Sequence, residues 1–93
     1  MPVLRLEHAI RDFDLWKAAF DRDPIHREES GVRSHRVFRP VDDPNYVVGH
    51  LEFDDPSAAE AFAVALRDLW GRIDVIGPNP RARVLEVVET KKY

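Results

Sequence analysis

Ninety-three residues with a net charge of −3, fourteen basic against seventeen acidic, make one domain, 1–93, with no electrostatic footprint for nucleic acid or an anionic membrane. The absence of cysteine excludes a disulfide framework, a thiolate zinc site and a cysteine nucleophile, and suits a reducing, cytoplasmic setting. No apolar run approaches the ~20 residues that span a bilayer, and the stretch from Met1 to His8 lacks the apolar centre of a signal peptide.

A first strand is predicted over Val3–Ala9. It alternates, with Leu4, Leu6 and His8 on one face and Val3, Arg5, Glu7 and Ala9 on the other. Asp12 then caps a helix running to about Arg22, where Phe13, Trp16, Ala19 and Phe20 line one side. Asp23-Pro24 restarts a short helical turn, Ile25 to Ser30, which Gly31 ends as a left-handed cap. A second strand covers about Val32 to Arg39. The turn Asp42-Asp43-Pro44-Asn45 follows, because Pro pre-sets φ and Asp and Asn bond their own backbone. A third strand covers about Tyr46 to Phe53. Asp54-Asp55-Pro56 supplies a cap and a first-turn proline for a second helix reaching about Gly71. Its apolar stripe is Ala59, Phe62, Ala63, Leu66, Leu69 and Trp70. Gly77-Pro78-Asn79-Pro80 reads as a rigid connector, Arg81 to Glu89 as the last strand, and Thr90 to Tyr93 as a polar tail.

The order β-α-β-β-α-β is most economically an α+β, ferredoxin-like sandwich: a four-stranded antiparallel sheet with both helices on one face. The opposite face mixes Val3, Ala9, Val37, Tyr46 and Val48 with Arg5, Glu7, Arg33, His35, His50 and Glu52. That is too apolar for bare solvent and too charged for a dry core. A second copy of the same sheet is its simplest cover, giving a homodimer.

If Pro40 and Asn45 flank the turn, Phe38 pairs with Val47, Arg36 with Gly49, Ser34 with Leu51 and Val32 with Phe53, all facing the helices. Val37 with Val48, His35 with His50 and Arg33 with Glu52 then face the partner sheet. A one-residue slip would exchange the faces. In this register His8 and Arg36 are polar groups on an apolar face, Gly49 leaves room opposite Arg36, and Trp16, Phe20, Phe62 and Trp70 roof the gap. An apolar cleft with a few convergent polar groups is the usual form of a small-molecule site.

His8 titrates near neutrality and is the candidate general base for a phenolic or enolic proton; the plain alternative is a core histidine bonded to backbone. Arg36 could hold a carboxylate or enolate oxygen, or merely pair with an acid at the sheet edge. His35, His50, Glu52 and Glu7 have metal-ligand chemistry, but no recognised motif has this spacing and two-fold interfaces commonly hold such charges. No metal and no cofactor are therefore expected. His26 sits in a charged segment and reads as a solvated face.

His8-Ala9-Ile10-Arg11-Asp12-Phe13-Asp14-Leu15-Trp16-Lys17, Arg27 to Arg33, the strand-turn-strand segment, Val75-Ile76-Gly77-Pro78 and Leu85 to Glu89 together resemble the dimeric α+β-barrel proteins. Within them the chain is most similar to a small stand-alone family related to antibiotic biosynthesis monooxygenases. The resemblance implies two sheets packed face to face and a pocket between helices and sheet in each subunit. In relatives that pocket oxidises polycyclic aromatics without a cofactor, cyclises polyketides, or degrades haem. It also implies that His8 is a site residue. Haem-degrading relatives use an early Asn and a late His; here no His follows His50 and His8 stands where the Asn would. The function expected is thus small-molecule binding, with cofactor-independent monooxygenation or cyclisation of an aromatic or polyketide-like substrate. The alternative is a non-catalytic binding or accessory protein on the same scaffold.

Overall fold

The computed structural model describes residues 1–72 and 79–93. Its elements are β1 (Val3–Ala9), α1 (Phe13–Asp21), β2 (Val32–Phe38), β3 (Tyr46–Phe53), α2 (Pro56–Trp70) and β4 (Arg81–Leu85). The strands form one antiparallel sheet in the order β2-β3-β1-β4. This is the predicted ferredoxin-like arrangement.

Local chemistry explains the helix starts. Asp12 stands in extended backbone and its Oδ1 accepts from the Leu15 amide at 3.1 Å. Asp55 does the same for Ser57 and Ala58, at 2.7 and 3.1 Å, with Pro56 in the first turn. Each satisfies amides that a helix cannot bond itself. Leu4, Leu6 and His8 are all buried toward the helices, as the alternation of β1 predicts. Leu4, Leu51, Phe53, Ala59, Phe62 and Ala63 form the main core under α2.

Two local readings need correction. Residues 25–30 form successive turns, not a helical restart. Asp23 and His26 both take positive φ, near 53°, which breaks any helix there. Gly31 does adopt the left-handed conformation expected of it, at φ 103°. The last strand stops at Leu85 rather than Glu89. Leu85 pairs with Val3, the first residue of β1, and the next neighbour back is Pro2, which has no amide to donate. Of the connector, Gly77 and Pro78 lie outside the described residues, as do Val75 and Ile76.

The third correction matters most for the site. Val32 pairs with Phe53 as predicted, but a bulge between Val32 and Ser34 shifts every later pair by one residue. Ser34 meets Glu52, His35 meets Leu51, Arg36 meets His50, Val37 meets Gly49 and Phe38 meets Val48. The extra residue is Arg33, whose side chain leaves the ladder and bonds Asp54 at 2.7 Å. A bulge of one residue exchanges the faces of everything beyond it. His35 and Val37 therefore lie on the helix side, while Ser34, Arg36 and Phe38 lie on the opposite side.

Candidate functional site

A cavity of about 180 Å³ opens between the sheet and α1, closed at one end by the C-terminal part of α2. Its floor is Leu6, His8 and Leu51 from β1 and β3. Its walls are Trp16, Ala19 and Phe20 of α1 and Phe62, Leu66, Leu69 and Trp70 of α2. The segment after α1 adds Arg22, Pro24, Ile25 and Arg27.

His8 is its most unusual member. It is 1% exposed, the only buried polar or charged side chain recorded among the described residues. Its Nδ1 lies 3.0 Å from the carbonyl oxygen of Ala9. A carbonyl can only accept, so Nδ1 carries the proton and Nε2 presents its lone pair. That Nε2 is buried and has no hydrogen-bond partner among the described residues. Burial pushes the imidazole below its usual pKa, against a smaller upward push from the Ala9 carbonyl. The ring is thus neutral near pH 7, a free acceptor in an apolar chamber. Trp70 meets it edge-on at 5.4 Å between centroids and Trp16 lies at 6.0 Å.

Trp16 continues the aromatic wall. It stacks on Phe20 at 5.0 Å with planes 23° apart, and the Arg27 guanidinium lies 3.8 Å above the Phe20 ring. Arg27 also donates from Nη1 to the Phe20 carbonyl at 2.7 Å, and its Nε approaches Asp23 Oδ1 at 3.5 Å. His35 packs against Phe20 in a T-shaped contact at 5.2 Å between centroids. Burial, then the charges of Arg27 and Lys17, hold the His35 pKa below its ordinary value.

Of the residues expected here, His8, Trp16, Phe20, Phe62 and Trp70 share the cavity. Arg36 and Gly49 do not. The bulge turns Arg36 to the outer face, where its guanidinium sits 5.0 Å from the Phe38 ring centroid and His50 is its cross-strand neighbour. Gly49 does face the helices, but the space it leaves is filled by Leu6: a Cβ there would come within 3.0–3.3 Å of that side chain. The same shift separates His35 from His50, so the set of His35, His50, Glu52 and Glu7 is divided between two faces. The Arg22–Arg27 segment was missed as a wall. Its signal is Ile25, a lone apolar residue in a charged stretch directly after a helix, which has to bury against something.

The outer face is a polar network on an apolar base. Glu7 accepts from Arg5 at 2.9 Å and from the Tyr46 hydroxyl at 3.1 Å. The Arg5 hydrogen bond is the main cause that holds the Glu7 carboxyl below its usual pKa. Phe38 packs edge-on against His50 at 4.9 Å, and His50 Nε2 is buried without a partner among the described residues.

No protein-family model matches the chain, and no curated protein matches it. Solved structures do. One, titled an antibiotic biosynthesis monooxygenase, superposes with a TM-score of 0.63 at 15% identity over 96% of this chain and 100% of its own. A candidate antibiotic biosynthesis monooxygenase from Nitrosomonas europaea gives 0.61 at 15% identity over the same shares. A dimeric ferredoxin-like protein from an uncultured marine organism gives 0.65 at 17% identity, over 97% of this chain and 96% of that one. The fold is the one these proteins share. No helix among the described residues is long and apolar enough to cross a membrane.

Proposed function

We propose that the cavity binds a small aromatic molecule bearing an acidic O–H and that His8 Nε2 accepts its proton. The observation that carries this reading is the orphaned Nε2. A buried acceptor without a donor costs about 1–3 kcal/mol, and a ligand hydroxyl would recover it. Trp16, Trp70 and Phe20 offer ring faces and edges to the same ligand. Size sharpens the class. An apolar cavity of roughly 150 Å³ accepts benzene, so about 180 Å³ suits one ring or a small bicycle and not a polycyclic polyketide.

Deprotonating a phenol, quinol or enol raises its electron density toward oxygen or toward an internal electrophile. That is the entry to cofactor-independent monooxygenation or cyclisation, and two of the similar structures are titled antibiotic biosynthesis monooxygenases. A second reading, a non-catalytic binding protein, is favoured by one observation: Arg36, the expected partner for a developing oxyanion, faces away.

The test is thermal stabilisation by phenol against toluene, followed by oxygen uptake with hydroquinone. Phenol should stabilise the protein well beyond toluene, and His8→Gln should lose the difference while remaining folded. Equal stabilisation by the two would refute the base. Oxygen uptake that disappears in His8→Gln supports an enzyme, and stabilisation without uptake supports a binding protein.

The reading includes a homodimer through the outer face in a reducing, cytoplasmic setting. Its support is the partnerless His50 Nε2, the exposed Leu85, Val87 and Val88, and the dimeric description of a similar structure. A monomer at sedimentation equilibrium would remove it.

A further inference from the structure

The proton acceptor at the cavity floor leaves open what else the ligand carries, and the charge of the lining bears on that. Among the described residues, the titratable side chains on the cavity wall besides the neutral His8 are Arg22 and Arg27, and both are cationic. No described Asp or Glu lines it. The nearby acids are already engaged: Asp21 accepts from Lys17 at 2.7 and 2.8 Å, and Asp23 accepts from the Arg27 amide at 2.9 Å and faces its Nε. Arg22 makes no ion pair with a described residue and is exposed at the mouth. Arg27 is largely buried, with its side chain 17% exposed, and Nη2 makes no hydrogen bond among the described residues. Its plane is held by Phe20 beneath and the Phe20 carbonyl beside it. A guanidinium fixed in this way presents its remaining N–H groups in a preset direction, which suits a planar oxyanion.

His8 lies 6.0 Å from Trp16, Trp16 stacks on Phe20 at 5.0 Å and Arg27 covers Phe20 at 3.8 Å, so a series of ring contacts on the cavity wall links the neutral acceptor to the guanidinium. A ligand that satisfies both carries a hydroxyl and an anion on one flat apolar body.

We propose that the cavity selects a hydroxyaryl carboxylate, its hydroxyl on His8 and its carboxylate at the Arg22–Arg27 mouth. This rests on the reading of His8 as acceptor of the ligand's O–H. The guanidinium pair supplies affinity and orientation, and keeps the ring from entering reversed.

Calorimetric titration at pH 7.5 with 4-hydroxybenzoate, 4-hydroxybenzyl alcohol and benzoate separates the two ends. A charge-assisted bond in a partly buried site should make 4-hydroxybenzoate bind about tenfold or more tightly than the neutral alcohol. Added salt should narrow the gap. Arg22→Gln, a change at an exposed side chain, and Arg27→Lys, which keeps the charge but loses the fork, should each narrow it further. Alcohol binding as tight as the carboxylate overturns the rim assignment while the His8 reading stands. Benzoate binding as tight as 4-hydroxybenzoate overturns the His8 reading, and this proposal with it. Silence from all three compounds overturns both.

Discussion

The two helices cover the same sheet and do opposite things to it. α2 meets β1, β3 and β4 through Ala59 and Ala63, each wholly buried, and small side chains let its axis come close. Phe62 reaches down to Phe53 at 5.7 Å between ring centroids, and the core under the first turns of α2 is closed; only from Phe62 onward does this helix border the cavity. α1 presents Phe13, Trp16 and Phe20 instead, and rests on Ile10, Val47 and Val37. Bulky rings hold it off, and the gap beside them is the cavity. Side-chain size at the layer contact thus decides which half is core and which half is site.

Mutations should divide along the same line. Phe53→Ala in the closed core should cost about 3–5 kcal/mol in urea unfolding, since the void cannot collapse against alanines. Trp70→Ala at the partly open end should cost clearly less and act mainly on ligand affinity. Equal losses would erase the distinction. Gly49→Ala lies where the halves meet. Its Cβ would press on Leu6 at 3.0–3.3 Å, and Leu6 is part of both the core and the cavity floor. A destabilisation of about 1–3 kcal/mol is expected from overpacking. A neutral or stabilising result would mean that Leu6 yields into the cavity.

The smallest effect is in pH. The folded pKa of His8 lies below its unfolded value, so the unfolded chain binds the proton first. Stability from this group is then complete above about pH 6.5, and it falls as the pH drops from there toward the folded pKa. His35 and His50 are depressed by burial as well and add the same sign. The melting temperature should decline on acidification below that point, and His8→Gln should flatten the decline. An unchanged slope in that variant would mean that His8 is not held neutral by its burial.

Much of this was readable beforehand. The alternation of β1 put His8 on the helix side, the spacing in α1 and α2 put Trp16, Phe20, Phe62 and Trp70 over it, and Asp12 and Asp55 marked the helix starts. The place of Arg36 was not readable, because one extra residue at Arg33 reversed the faces of the rest of β2. Nor was the wall at Arg22–Arg27, where positive φ at Asp23 and His26 folds a polar stretch inward.

The amino-acid order alone determined the six elements, the caps at Asp12 and Asp55 and which side of β1, α1 and α2 was apolar, since those depend on neighbours within a turn or two along the chain. Only the assembled sheet decided register, and with it which charged groups meet the cavity. Register is an agreement between strands, and a bulge that costs little locally redirects every side chain beyond it.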